Sequence, residues 1–151
     1  MRWVFWALAG SALVHVAEEY LGDWVASVQQ YIPGVTWTQF AVVNVAFLIL
    51  CGAGAMVGTA RLTLALSVAS LVLINAVIHI VGTLTLRQYS PGTFSSILLY
   101  IPLGLYAFYA AARCGQMSLG TGARAALLGV LWMTVPPAFQ VVRLAFQRAG
   151  S

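Results

Sequence analysis

The fold class is decided by residues 62–86, LTLALSVASLVLINAVIHIVGTLTL, a stretch of the chain without a single charged side chain. A helix of about 20 apolar residues is long enough to cross the hydrocarbon core of a bilayer. The composition of the whole chain agrees, because 62% of its 151 residues are hydrophobic, 7% are charged and the mean hydropathy is +0.94. These values are typical of integral membrane proteins.

Four further apolar stretches flank this one, and all five have a length close to that of a membrane-spanning helix. We predict helices at about residues 3–22, 38–58, 62–86, 94–112 and 122–146. The longest connection, between the first two, contains turn residues and aromatic residues suited to the membrane interface, and a short surface helix could form there. The sequence therefore predicts an all-α, polytopic membrane helix bundle with five transmembrane helices, in which residues 1–151 form a single transmembrane domain.

Arginines indicate the orientation of the bundle, since basic residues are enriched in cytoplasmic loops. The connections on the side of the amino terminus contain Arg2, Arg61, Arg113 and Arg124. Only Arg87 lies in an opposite loop, so we expect a cytoplasmic amino terminus in the cell inner membrane. A fifth crossing would place the tail with Arg148 outside, against this rule, unless Pro136-Pro137 breaks the last segment or a carboxylate holds Arg143.

The charge pattern also limits the partners of the chain. Its net charge of +4 comes from seven basic residues, all arginines, and these are scattered singly between apolar stretches. No basic patch is formed, which argues against a nucleic-acid partner. The expected partners are membrane lipid and a lipid-like or small amphiphilic molecule, and the apolar surface is equally compatible with a homo-oligomer or a larger membrane complex.

All three carboxylates of the chain, Glu18, Glu19 and Asp23, lie within six consecutive residues, shortly after His15. Ionisable side chains inside a membrane are costly, by roughly 2.5–3.5 kcal/mol each on insertion scales, and commonly mark functional sites. Asp23 is expected to be an interfacial helix cap. His15 and His79 each lie about seven residues before the outer end of a predicted helix, which places both roughly 10 Å inside it.

Other polar side chains are predicted at the same depth, in the outer leaflet. Asn75 lies four residues before His79 and shares its helix face. Asn44, Tyr100, Gln140 and Arg143 are expected in the same layer, on the second, fourth and fifth helices.

Three polar blocks follow one another along the first half of the chain. They are His15-x-x-Glu18-Glu19, Asn75-x-x-x-His79 and Arg87-x-Tyr89-x-Pro91-Gly92. In these blocks and their order the chain resembles the HXXEE family of small bacterial membrane proteins. The resemblance implies a site, and an enzymatic activity presumed from the polar motif residues, without naming a reaction.

A metal site is one interpretation of these residues. His15, Glu19 and His79, with Glu18 as an alternative carboxylate, provide the ligand types of catalytic zinc or non-haem iron. Asn75 or Tyr89 could then orient a histidine. A divalent metal would also neutralise adjacent carboxylates.

Three alternatives remain open from sequence. Without metal, a protonated glutamate could initiate isomerisation or cyclisation of an isoprenoid or sterol-like lipid, with Trp24, Trp37 or Tyr100 stabilising a developing cation. The same side chains could move protons or ions. Finally, Arg87 or Arg143 could pair with a glutamate in a non-enzymatic lipid-binding, metal-binding or accessory subunit.

The sequence thus favours a membrane enzyme that uses metal-assisted or acid-base chemistry in the outer leaflet. We assign candidate catalytic roles to His15, Glu18, Glu19, Asn75 and His79. Candidate substrate-binding residues are Arg87, Tyr89, Asn44, Tyr100 and Arg143.

Overall fold

The computed structural model describes residues 1–149 and consists of helices joined by turns, with no strand among those residues. The helices are α1 (Arg2–Leu21), α2 (Trp24–Gln29), α3 (Trp37–Val57), α4 (Leu62–Leu86), α5 (Thr93–Arg113), α6 (Leu119–Met133) and α7 (Val135–Ala149). A 3-10 turn, Gly58–Arg61, connects α3 to α4. The all-α prediction is confirmed, and the first four predicted long helices agree with α1, α3, α4 and α5 to within one residue at each end.

Local sequence explains where several helices begin. Thr36 caps α3 in a capping box, because its hydroxyl accepts from the Gln39 N–H while the Gln39 side chain accepts from the Thr36 N–H. Asp23 caps α2 by accepting from the Ala26 N–H at 3.2 Å. Both the short helix between the first two long ones and the capping role of Asp23 are therefore confirmed.

The last predicted helix, residues 122–146, is wrong as a single element. Helix α6 ends at Met133 and α7 begins at Val135, so the break falls just before Pro136-Pro137. Neither proline has an N–H to donate to the turn before it, which interrupts the backbone ladder at this point. The proline pair was the sequence feature that pointed to such a break.

Helix α4 is the centre of the packing, because every residue from 65 to 72 is buried. Its neighbours are α1, α3, α5 and α6. The largest core cluster joins Val4, Phe5 and Leu8 of α1 to Leu66, Ala69 and Val72 of α4 and to Tyr100, Ala107 and Ala111 of α5. A central helix surrounded on several sides explains why its sequence is apolar all round.

Three helical stretches are long and apolar enough to cross a membrane: Trp37–Leu86, Thr93–Arg113 and Leu119–Arg143. The first of these, 50 residues long, contains both α3 and α4. Helix α1 does not reach the same apolarity, because it carries Arg2 and the two glutamates. Membrane-spanning helices are thus supported by length and composition, whereas the prediction of five transmembrane helices is not.

Small residues permit close helix contacts within this bundle. A Cβ added at Gly129 of α6 would lie 2.4 Å from the Cβ of Ser70, and one added at Gly54 of α3 would lie 2.7 Å from a Val68 methyl. Helices α3 and α6 therefore approach α4 at positions where only glycine fits.

Substitution Gly129→Ala is expected to destabilise the bundle, because the new methyl group overlaps Ser70 on the central helix. Overpacking of this kind costs about 1–3 kcal/mol, which thermal unfolding in detergent would measure. Gly52→Ala is the matched control, since a Cβ at Gly52 meets nothing within 4 Å. Equal melting temperatures for the two variants would contradict the tight α4–α6 contact.

Candidate functional site

A cluster of three buried ionisable side chains joins α1 to α4. The Glu19 Oε1 atom lies 3.2 Å from His79 Nε2 and 3.5 Å from His15 Nε2. His15, His79 and Glu19 are only 1%, 5% and 6% exposed. One possible ligand atom from each residue lies within 4.8 Å of the others, so the three could hold a metal ion. The residues predicted as ligands are thus brought together.

Each histidine is held on its other nitrogen by a serine hydroxyl. His15 Nδ1 lies 2.8 Å from Ser95 Oγ, and His79 Nδ1 lies 3.0 Å from Ser90 Oγ. Both serines belong to the segment that runs from the α4–α5 loop into α5. This segment therefore fixes the ring orientation of both imidazoles, as outer-shell partners of metal-binding histidines commonly do.

The Ser95 hydroxyl has two partners, since it lies 2.8 Å from His15 Nδ1 and 3.1 Å from the Gly92 carbonyl oxygen. When its proton is donated to Gly92, its oxygen accepts from an Nδ1–H of His15, and the Nε2 atom then carries the lone pair of the ring. This Nε2 atom has no hydrogen-bond partner among the described residues. In that tautomer it faces the Glu19 carboxylate, an arrangement of two acceptors that suits a metal cation.

Glu18 has a different role from its neighbour, because it binds the start of α5. Its Oε1 accepts from the N–H groups of Gly92 and Phe94, each at 3.0 Å, and its Oε2 accepts from the N–H of Ser95 at 2.7 Å. The hydroxyl of Tyr89 donates to the same carboxylate. A negative charge at a helix amino terminus is favourable, and this one ties α1 to the loop.

Loop residues reinforce this contact. Partial burial and the hydrogen bond to the Glu18 carboxylate raise the pKa of the Tyr89 phenol to about 12, so Tyr89 remains a donor at neutral pH. Thr83, near the end of α4, accepts from the Ser90 N–H at 3.1 Å and bonds the Thr93 hydroxyl at 2.8 Å. Ser90, the serine that orients His79, is therefore held in place by Thr83.

Gly92 lies directly against both histidines. Its φ of +104° is in the region that favours glycine, and it forms the amino-terminal cap of α5. A Cβ at this position would lie 2.7 Å from His15 Cε1 and 2.8 Å from His79 Cε1. The turn at Pro91-Gly92 thus also forms one wall of the site.

Tyr100 packs on the cluster from α5. Its ring stacks on that of His15 with a centroid distance of 4.5 Å, and the side chain is 0% exposed. The backbone from Ser96 to Tyr100 forms a π turn, a local widening found often at functional sites. Pro102, which has no N–H for the carbonyl four residues earlier, is compatible with that widening.

The remaining predicted residues fall in several places. Asn75 lies one turn before His79 on α4, and its buried Oδ1 has no hydrogen-bond partner in the described part of the chain. Asn44 lines a separate groove between α1 and α3 that also contains Trp37. Arg87 is the exposed carboxyl-terminal cap of α4, in a left-handed conformation.

Arg143 is placed elsewhere than predicted. Its guanidinium donates to the backbone carbonyls of Pro33 and Gly34, in the loop before α3. Gln140, one turn earlier, donates to the Gln39 side chain. These α7 residues therefore contact the α2–α3 loop and the first turn of α3, and the idea that Arg143 pairs with a site carboxylate does not agree with its described contacts.

Sequence reasoning missed Ser90, Ser95 and Ser96. Ser90 lies inside the Arg87-x-Tyr89-x-Pro91-Gly92 block, so its proximity to the site could have been inferred from that block. Ser95 and Ser96 follow the same turn, but a serine at the start of an apolar helix has no distinguishing pattern. Their contribution becomes visible only in the folded chain.

Comparisons with known proteins agree with the motif. The family described as "Protein of unknown function with HXXEE motif" matches residues 6–107 of the chain. The chain belongs to this family. No curated protein and no solved structure matches the sequence.

Substitution Glu18→Ala should loosen the α4–α5 loop, because three backbone N–H groups and Tyr89 lose their acceptor. Bonds to a charged group contribute about 1.5–3 kcal/mol each, so we expect faster hydrogen exchange across residues 89–95. Asp23→Ala, which removes a neighbouring carboxylate with one backbone contact, should leave exchange in that loop unchanged. Equal exchange in Glu18→Ala and wild type would show that this carboxylate does not hold the loop.

Substitution Gly92→Ala should disrupt the site, because the methyl group overlaps both imidazoles and the φ angle is unfavourable for alanine. Backbone strain alone costs about 1–3 kcal/mol, measurable as a lower melting temperature. The control is Gly82→Ala on α4, where a Cβ would meet nothing within 4 Å. A Gly92→Ala protein as stable as this control would contradict the observed packing.

Proposed function

We propose that this HXXEE-family protein is an integral membrane enzyme that acts on a lipid-like or small amphiphilic substrate at a divalent metal centre. The ligands would be His15, Glu19 and His79, and the metal would be zinc or iron. The observation that carries the proposal is the convergence of two Nε2 atoms on one carboxylate oxygen, at 3.5 and 3.2 Å.

Electrostatics favour a cation between these groups. The buried Glu19 carboxylate is costly without a positive charge to balance it, since burial of an unpaired charge is unfavourable. Two imidazoles and one carboxylate form a ligand set of catalytic zinc, and of non-haem iron sites with open positions. The Nδ1 contacts to Ser90 and Ser95 fit this arrangement, because they direct both Nε2 atoms towards Glu19.

The chain's own residues would perform distinct tasks. A bound divalent metal supplies Lewis-acid polarisation of an oxygen, or a water of lowered pKa. Glu18 holds the loop that carries the two serines, so it would act as a positioning residue. Asn75 would contact the substrate or the ring of His79. Tyr100 supports the ring of His15 by stacking on it.

A groove beside the centre supports an amphiphilic substrate. It lies between α1 and α5, has a volume of about 620 Å³, and is lined by Val14, Ala17, Leu21, Phe94, Leu98 and Leu99 together with Glu18, Tyr89 and Ser95. Ser95 connects this groove to His15 by one hydrogen bond. An apolar chain could occupy the groove, while Arg87 in the adjacent loop would face the polar end.

We propose further that the bundle crosses the bacterial inner membrane five times, with its amino terminus in the cytoplasm. Two antiparallel helices in the stretch Trp37–Leu86, and the deep packing of α1 against α4, support this count. The arginine distribution supports the orientation. The site would then open towards the outer leaflet.

Purified wild-type protein is expected to contain close to one divalent metal per chain by elemental mass spectrometry. His79→Ala and Glu19→Gln should lose it, because each removes one of three ligands. Asp23→Asn is the matched control, since it neutralises a nearby carboxylate outside the cluster and should retain the metal.

Metal that remains in both ligand variants would contradict this centre. Absence of metal from wild type, in protein never exposed to chelator and after incubation with zinc or iron(II), would also contradict it. That second result would leave a protonated glutamate or a bridging imidazolium as the chemistry of the cluster.

A further inference from the structure

Three polar atoms on α4 and α5 are buried without a hydrogen-bond partner among the residues that the structure describes: Asn75 Oδ1, Ser96 Oγ and the Tyr100 hydroxyl. Ser96 and Tyr100 are each 0% exposed. Buried polar groups are nearly always satisfied, because an unpaired one loses its hydration without compensation. Such exceptions on two helices that pack against each other point to a ligand, and we name these three residues the polar subsite.

The polar subsite adjoins the metal-binding cluster. Tyr100 stacks on His15 at 4.5 Å, and Asn75 lies one helical turn before His79. Ser96 and Tyr100 are the first and last residues of the π turn, which brings them to neighbouring positions on α5. The core cluster that contains Tyr100 also contains Val72 and Ala76, so the Asn75 segment of α4 packs at the same level.

We propose that this polar subsite binds the neutral oxygen of the substrate, a hydroxyl or carbonyl group, with Tyr100 as its hydrogen-bond donor. The inference rests on the proposed function, since it names the group that the centre would act upon. Tyr100 thereby becomes a substrate-binding residue that touches the reacting end of the molecule, in addition to supporting His15.

The chemistry of the subsite selects a neutral group. A phenol, a hydroxyl and an amide can satisfy a hydroxyl or carbonyl completely, whereas none of them carries a charge to balance a phosphate or an ammonium. An anionic part of the substrate, where one exists, therefore belongs at the loop with Arg87 and not at this subsite.

The lining of the neighbouring groove agrees with this assignment. The groove between α1 and α5 is lined mainly by apolar side chains, and Ser95 in its lining directly precedes Ser96. The expected substrate is therefore an apolar chain that ends in, or carries, an alcohol or carbonyl.

Binding of 1-decanol to detergent-purified, metal-loaded protein tests the proposal by isothermal titration calorimetry. Tyr100→Phe removes only the hydroxyl and should weaken decanol binding about tenfold, the loss expected for one hydrogen bond of about 1.4 kcal/mol. Tyr106→Phe removes a hydroxyl from the same helix, at a residue that is 41% exposed, and should leave the affinity within about twofold of wild type.

Decyl phosphate and Ser96→Ala complete the test. Decyl phosphate should bind with an affinity that Tyr100→Phe does not change, and Ser96→Ala should weaken decanol binding even where Tyr100→Phe fails to fold. Unchanged decanol affinity in the folded variants would overturn the polar subsite. The metal centre would still stand in that case if the protein contained one metal per chain. If wild-type protein binds no metal but its affinity for decanol still depends on Tyr100, the metal centre is overturned and the polar subsite is upheld.

Discussion

The contact on which this structure depends is the one between Glu19 and two imidazoles from different helices. A carboxylate that is 6% exposed inside an apolar bundle must be balanced by groups that other elements bring to it. His15 comes from the same helix one turn earlier, and His79 comes from the central helix α4. The relative position of α1 and α4 is therefore fixed by polar contact as well as by the core around Leu8 and Val72.

The α4–α5 loop makes this cluster into a defined site. Glu18 binds one backbone N–H group of this loop and two of the first turn of α5, while Ser90 and Ser95 each hold one imidazole by its Nδ1 atom. Gly92 lets the loop approach both rings to a distance that no side chain would permit. The two adjacent glutamates thus have different roles. Glu18 positions the loop and the start of α5, and Glu19 faces the histidines.

Sequence alone predicted the central triad, because the depths of His15 and His79 could be estimated from helix length and because Glu19 follows His15 by four residues, a helical spacing. It could not separate Glu18 from Glu19, since residues three and four positions after a histidine are both its neighbours on a helix. The partners of Arg143 depend on the break before Pro136 and on the path of a distant loop. Neither feature can be predicted from the periodicity of the sequence. The serines were missed for the same reason, as their role depends on tertiary contact.

X-ray absorption spectroscopy of the metal-loaded protein tests the central claim most directly, because it reports the ligand atoms themselves. The account predicts, for zinc, two imidazole nitrogens and at least one carboxylate oxygen at about 2.0–2.2 Å, without sulfur. His79→Ala should reduce the imidazole signal. A spectrum with sulfur ligands, or with oxygen ligands alone, would contradict a centre formed by His15, Glu19 and His79.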